Sequence, residues 1–128
     1  MTDTPRTPSW KRTGQPGVKK VEWTGLDGDD SGIPIKVGSY TDISVQIRGT
    51  FDSNTLTMQG SNDERADPTD SDHANAVWFT LTDTTETSIA VTSASAAQIL
   101  QNPLWVRPIN SGGGGSTSSI VEMKLVKS

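Results

Sequence analysis

The 128-residue chain contains no cysteine. That excludes a disulfide framework, a thiolate zinc site and a thiol nucleophile, and it fits assembly in a reducing compartment. Histidine occurs once, at His73. A nucleophilic triad would have to gather a nucleophile and an orienting acid around that one ring, and no nucleophile-elbow pattern is present. A transition-metal site would rest on one imidazole plus carboxylates. His73 is therefore read as a solvated loop residue. No apolar run approaches the roughly 18 residues of a membrane span, and the N-terminus lacks the apolar segment of a signal peptide. Hydrophobic residues make up only 31% of the chain, with a mean hydropathy of -0.48, which is lean for a free-standing globule of this size.

Serine and threonine supply a quarter of the chain. They suit strands, turns and solvated faces better than helix interiors. The length suits one domain. The net charge of -4 is unevenly spread. Residues 1–20 hold Arg6, Lys11, Arg12, Lys19 and Lys20 against Asp3 alone, whereas residues 21–128 hold 6 basic and 14 acidic side chains. An acidic body repels nucleic acid, and a basic arm suits an acidic partner.

Residues 1–17 read as a flexible Pro-rich arm, because Pro5, Pro8, Gly14, Pro16 and Gly17 interrupt regular structure. Trp10 is its apolar anchor, and arms of this kind order on a partner. From residue 18 the chain alternates apolar and polar residues in short runs: Val21 and Trp23; Ile33, Ile35 and Val37; Ile43, Val45 and Ile47; Leu56 and Met58; Val77, Phe79 and Leu81; Ile89 and Val91; Leu104 to Ile109; Ile120 to Val126. Period-2 patterning of this kind predicts half-buried strands. Pro103 and Pro108 mark the seventh run as an edge or open-ended strand. About eight strands at short spacing predict an all-β antiparallel sandwich or jelly roll over residues 18–128. Only Ser95 to Gln101, with Ala96, Ala97, Ile99 and Leu100, reads as helical, stopping before Asn102-Pro103. Gly60 to Ala76 is a long polar loop of a length that is often functional. Ser111 to Ser116, SGGGGS, reads as a floppy hairpin tip.

Two acidic features invite a chemical reading. Asp27-Gly28-Asp29-Asp30-Ser31-Gly32 matches the first half of a calcium loop, but the twelfth position is Gly38 where a bidentate Glu belongs. A turn between strands is expected there, and no metal or cofactor is assigned. Eleven of the 15 acids are Asp, mostly in turn-like stretches where they accept backbone hydrogen bonds. Gly112 to Gly115 lack the Lys-Ser/Thr and the following helix of a phosphate-binding loop. No enzymatic activity is expected.

The segments VQIRGTF at Val45 to Phe51, LTMQGSND at Leu56 to Asp63 and WFTLTD at Trp78 to Asp83 form a recognisable series. Trp23-Thr-Gly-Leu26, Asn102-Pro-Leu-Trp-Val-Arg-Pro108 and a Gly-rich turn before the last apolar strand complete it. Over residues 21–128 the pattern resembles small structural proteins of tailed bacteriophages that decorate or cement the capsid. It departs from them by inserting Glu64 to Val77 where a short turn is usual. The resemblance implies a non-enzymatic virion protein on the capsid exterior, made in the cytoplasm of a host bacterium. It further implies contact with the major capsid protein and a homo-oligomer, commonly a trimer. Arg6, Trp10, Lys11, Arg12, Lys19 and Lys20 are the candidate capsid contacts. Another virion component with the same sandwich, a tail- or baseplate-associated domain, is one alternative reading; the same hairpin pattern recurs in discoidin-like sugar-binding jelly rolls, so a carbohydrate-binding module is the other. A host glycan is then a further candidate partner.

Overall fold

The alternation in the sequence is expressed as two facing sheets. The computed structural model describes residues 5–127; residues 1–4 of the expected arm, and Ser128, lie outside the described residues. Twelve strands are present among them: β1 (Pro5–Arg6), β2 (Ser9–Lys11), β3 (Val18–Leu26), β4 (Ser31–Gly32), β5 (Ile35–Lys36), β6 (Asp42–Thr50), β7 (Asn54–Ser61), β8 (Phe79–Thr80), β9 (Ala90–Val91), β10 (Ser95–Gln98), β11 (Trp105–Gly112) and β12 (Ser118–Val126). Five of them, β3, β6, β7, β11 and β12, are eight or nine residues long and carry the frame. One sheet runs β1-β4-β11-β7-β8, with β5 also on β11 and β9 on β7; the other runs β10-β6-β12-β3-β2. They are called sheets A and B below. All pairings are antiparallel except β1 with β4. The chain changes sheet at the connections from β1 to β2, β3 to β4, β5 to β6, β6 to β7, β9 to β10, β10 to β11 and β11 to β12, so the expected all-β sandwich is what forms.

The core lies between the sheets. Val21, Trp23, Ile43, Val45, Ile47, Val121, Met123 and Leu125 from sheet B meet Ile35, Leu56, Met58 and Val106 from sheet A, all essentially inaccessible. Full burial of such side chains is worth about 1.5–3 kcal/mol each. Trp23 keeps its polar atom satisfied by donating from Nε1 to the Ile33 carbonyl at 3.1 Å. Lean composition is offset by polar cross-links. Asn54 Nδ2 donates to Asn110 Oδ1 (2.6 Å) and Ser119 Oγ (3.1 Å), and Asn110 Nδ2 donates to the Gly28 carbonyl (2.8 Å). Asn54, Asn110 and Ser119 are fully buried, and the first two bonds tie β7 and β11 of sheet A to β12 of sheet B.

Four expectations need correction. Ser95 to Gln101 is not helical. Ser95–Gln98 pair with Gln98↔Ser44 through Ser95↔Ile47 on β6, and Ile99 N–H continues the ladder to the Ile43 carbonyl. Ala and Gln favour helix weakly, and a waiting strand edge overrides a preference of roughly a few tenths of a kcal/mol per residue. β11 is not an edge strand. It sits between β7 and the β4/β5 pair, and Pro108 faces the break between β4 and β5, where Gly32 leaves it room. SGGGGS is not a floppy hairpin tip. It carries the chain from sheet A to sheet B, with Gly114 N–H donating to the Asp52 carbonyl and Thr117 N–H to the Gly114 carbonyl. A Cβ on Gly113, whose φ is +106°, would press on Asn54 and Thr117, so glycine is required there. The described part of the arm is not free. Residues 5–6 and 9–11 are strands, added to sheet A and sheet B respectively.

Candidate interaction surfaces

The arm is held by electrostatics at its start. Arg6 on β1 donates from Nε (3.0 Å) and Nη2 (2.8 Å) to Asp30 Oδ2, a carboxylate only 2% exposed, and Nη2 lies 3.7 Å from Asp27. The Asp27–Gly32 turn thus receives its cation from the chain itself. Asp27 is pushed above the usual carboxylate range, first by its hydrogen bond with Asp30, while Arg6 opposes the shift. Among the described residues, no three His, Cys, Asp or Glu are gathered to hold a metal ion.

The six basic or aromatic residues expected to grip a capsid are divided among three places. Arg6 is spent on Asp30. Lys11 and Lys20 stand opposite one another on β2 and β3, and Lys20 stands opposite Lys124 on β12. This is a row of three lysines across the outer face of sheet B, with Ser44 and Gln98 continuing it onto β6 and β10. Like charges directly opposite are unfavourable. Two of the three are compensated diagonally, Lys11 by Glu22 (3.5 Å) and Lys20 by Glu122 (3.2 Å), and Glu22 also binds Arg48 (2.8 Å). Lys124 has no ion pair among the described residues. Sequence reading missed Lys124 and Arg48, which belong to this face although they lie far from the arm. Their period-2 placement beside Val121, Met123, Val45 and Ile47 is the signal that would have found them. The same face holds a trough of about 470 Å³ along Ser44, Gln46, Ala96, Gln98, Glu122 and Lys124.

Trp10, Arg12 and Lys19 occupy the third place. Trp10 pairs in register with Val21, so its ring is on the core side of sheet B, but β2 is the outermost strand and the ring stays 51% exposed. Lys19 Nζ lies 5.9 Å from the ring centroid, within cation–π range. With Arg12 and Pro16 they line an open groove of about 490 Å³.

The 60–76 loop is ordered by its own acids. Asp63 accepts from Arg65 Nε and Nη2 and from the Arg65 and Val77 amides, which holds its carboxyl far below the usual range. Asp67 and Asp83 are lowered likewise, by Thr69 and by Thr85 and Thr87. His73, expected to be solvated, is half-buried with Nδ1 2.9 Å from the Arg65 carbonyl. Trp78 closes the far end of the loop over Arg107, whose guanidinium lies 3.9 Å from the ring centroid. These side chains build a rigid surface loop; the backbone and side-chain bonds account for each carboxylate named. No helix among the described residues is long and apolar enough to cross a membrane.

With the geometry in hand, comparison with known proteins is informative about fold. No family model matches the chain, and no curated protein matches it in sequence. The structure is similar to that of the SPBc2 prophage-derived protein YomS, at a TM-score of 0.59 and 14% identity over 86% of this chain and 95% of that one. Looser overlaps are found with IMPa from Pseudomonas aeruginosa, solved in complex with an O-glycopeptide (TM-score 0.44, 10% identity, 87% of this chain and 12% of that one). The K3 cleaved adhesin domain of Lys-gingipain from Porphyromonas gingivalis W83 is comparable (TM-score 0.41, 12% identity, 86% and 74%). The first shares the sandwich nearly end to end; the other two overlap too loosely to bear on function.

Proposed function

We propose that this protein is a non-enzymatic structural component of a phage particle that binds the outer surface of the capsid and stabilises it. The observation that carries the reading is the shared fold with a prophage-derived protein over 95% of that protein's length. It is supported by the outer face of sheet B. There Lys11, Lys20, Lys124 and Arg48 outnumber Glu22, Glu122 and Asp42 on a chain of net charge -4. Such a face is attracted to an acidic shell, and its attraction weakens with salt. The test is addition of the protein to purified undecorated heads, followed by pelleting and a heat challenge. Binding at low salt, raised heat resistance of the heads, and loss of both in Lys20→Glu/Lys124→Glu support the reading. Failure to bind heads, or co-purification with tails alone, overturns it.

A second reading rests on the trough beside Lys124. Gln46, Gln98 and Ser44 make no side-chain hydrogen bond among the described residues, and carboxamides presented on a flat polar floor suit saccharide hydroxyls. Saturable binding of soluble host glycans, abolished by Gln98→Ala, would favour a carbohydrate-binding module over a capsid protein.

A further inference from the structure

β2 is the last strand of sheet B, and all three of its residues are exposed. The direction of its backbone groups follows from the ladder beside it. Lys127 N–H donates to the Gly17 carbonyl, so in the β12–β3 register the residues of β3 that exchange hydrogen bonds with β12 are Lys19 and Val21. Lys20 and Glu22 turn their N–H and C=O groups the other way, to Lys11 and Ser9 of β2. Trp10 lies between Ser9 and Lys11, and its own N–H and C=O therefore point away from β3. No strand pairs with β2 on that side among the described residues. An open edge of this kind is a template for a further strand.

The side chains next to this edge form a built recess. Thr13 Oγ1 donates to the Val18 carbonyl (2.8 Å), Gln15 N–H donates to Thr13 Oγ1 (3.2 Å), and Val18 N–H donates to the Gln15 carbonyl (3.2 Å). The turn so held brings Arg12 and Pro16 to the same groove as Trp10, Val18 and Lys19. Its apolar surface is the half-open Trp10 ring with Pro16 and Val18. Its charge is of one sign. No carboxylate lines the groove, and neither Arg12 nor Lys19 forms an ion pair among the described residues. Lys11 reaches the rim but belongs to the outer face of sheet B, where it meets Glu22.

We propose that this edge binds an extended acidic peptide of a partner protein, added to sheet B beside β2. The peptide backbone pairs with the Trp10 N–H and C=O. The residue opposite Trp10 is apolar and lies on the ring, because residues opposite one another share a face of the sheet. Carboxylates two positions away fall on that same face and meet Arg12 and Lys19. The open backbone edge is what selects a peptide: a lipid headgroup or a saccharide engages the cations and the ring but leaves the strand pairing unused, whereas main-chain bonds supply the affinity in strand addition. The inference does not depend on the capsid reading, which rests on the outer face of sheet B.

The test is an NMR titration of the whole, isotope-labelled chain in low-salt buffer at neutral pH. The probe is the blocked peptide Thr-Glu-Thr-Leu-Thr-Glu-Thr, which puts its leucine and both glutamates on one face. Binding is expected with a dissociation constant below about 1 mM, and the Trp10 amide should exchange with solvent at least about tenfold more slowly in the complex. Arg12→Glu/Lys19→Glu, at two exposed positions, should weaken binding at least about tenfold, as should Trp10→Ala. Two altered peptides separate the causes. One carries lysine in place of both glutamates; the other is N-methylated at the leucine, which keeps its charges but blocks pairing with the edge. Neither is expected to bind. No binding of the acidic peptide at about 2 mM, equal binding of either altered peptide, or a charge-reversed chain that binds as well as wild type would each overturn the proposal. Capture of the chain by phosphatidylglycerol vesicles without binding of the peptide would assign the groove to a membrane surface and overturn it as well.

Discussion

Removing the Arg6 side chain should release the arm and destabilise the whole sandwich. Asp30 is 2% exposed and takes two charge-assisted hydrogen bonds from Arg6, at 3.0 and 2.8 Å. Leaving one member of a buried pair behind costs about 3–5 kcal/mol. Arg6 itself is 36% exposed, so water entering its place partly solvates the Asp30 carboxylate, which also keeps the Asp27 amide as a donor, and the cost falls to the bottom of that range or below it. Arg6→Ala is therefore expected to cost about 2–3 kcal/mol, less than two separate charged hydrogen bonds at roughly 1.5–3 each, because both converge on one Asp30 oxygen and water replaces part of the loss. At about 4 °C per kcal/mol for a chain between the sizes usually surveyed, the melting temperature falls by about 8–12 °C. Urea denaturation followed by tryptophan fluorescence gives the free energy. The decisive variant is Arg6→Ala combined with Asp30→Asn. With the buried charge gone, Arg6→Ala should cost about 1.5–2 kcal/mol less than it does alone. A loss under about 0.5 kcal/mol, the weight of an exposed surface pair, would refute the reasoning, as would strict additivity of the two substitutions.

Gly49 has φ +105° and a Cβ there would run into the Ser118 carbonyl oxygen, so Gly49→Ala should cost at least about 2 kcal/mol in the same urea assay. Asn54→Ala takes a donor from buried Asn110 Oδ1 and Ser119 Oγ, at about 1–3 kcal/mol for a buried group left unsatisfied, and should lower the urea midpoint further than Gln98→Ala on the open face. Asp63, Asp67 and Asp83 are lowered in the folded chain, so the unfolded chain binds more protons in acid. Their contribution is complete above the ordinary carboxylate value of 3.8 and is lost progressively as the pH falls below it. Asp27, raised instead, acts in the opposite sense. Urea midpoints measured from neutral pH down into acid should drop below 3.8, and Asp63→Asn should flatten that drop; an unchanged slope would count against the assignment.

The long strands were legible because one face of each is buried. Ile43, Val45 and Ile47 alternate with Ser44, Gln46 and Arg48, and a single-residue slip would turn all three apolar side chains outward. Where burial does not dictate the pattern, the sequence is silent. Ala96 and Ala97 read as helix because small residues carry no side-chain period, and only the open edge of β6 makes them a strand. Pro5, Pro8 and Pro16 read as disorder, since nothing near them in sequence announces that Arg6 meets Asp30 across 24 residues. The lysine row escaped a search for local basic clusters because register, not sequence distance, brings Lys11, Lys20 and Lys124 together.

The position of β12 has a further consequence. It is the last strand described, yet it lies at the centre of sheet B, between β6 and β3. Without Ser118–Val126, sheet B is two separate pairs, β2 with β3 and β6 with β10, and β12 is the strand that joins them. Its distant pairings make folding slow, in the millisecond-to-second range typical of such topologies. During that interval the strand edges are open, and a sequence poor in apolar residues and rich in aspartate keeps the waiting chain apart from its neighbours.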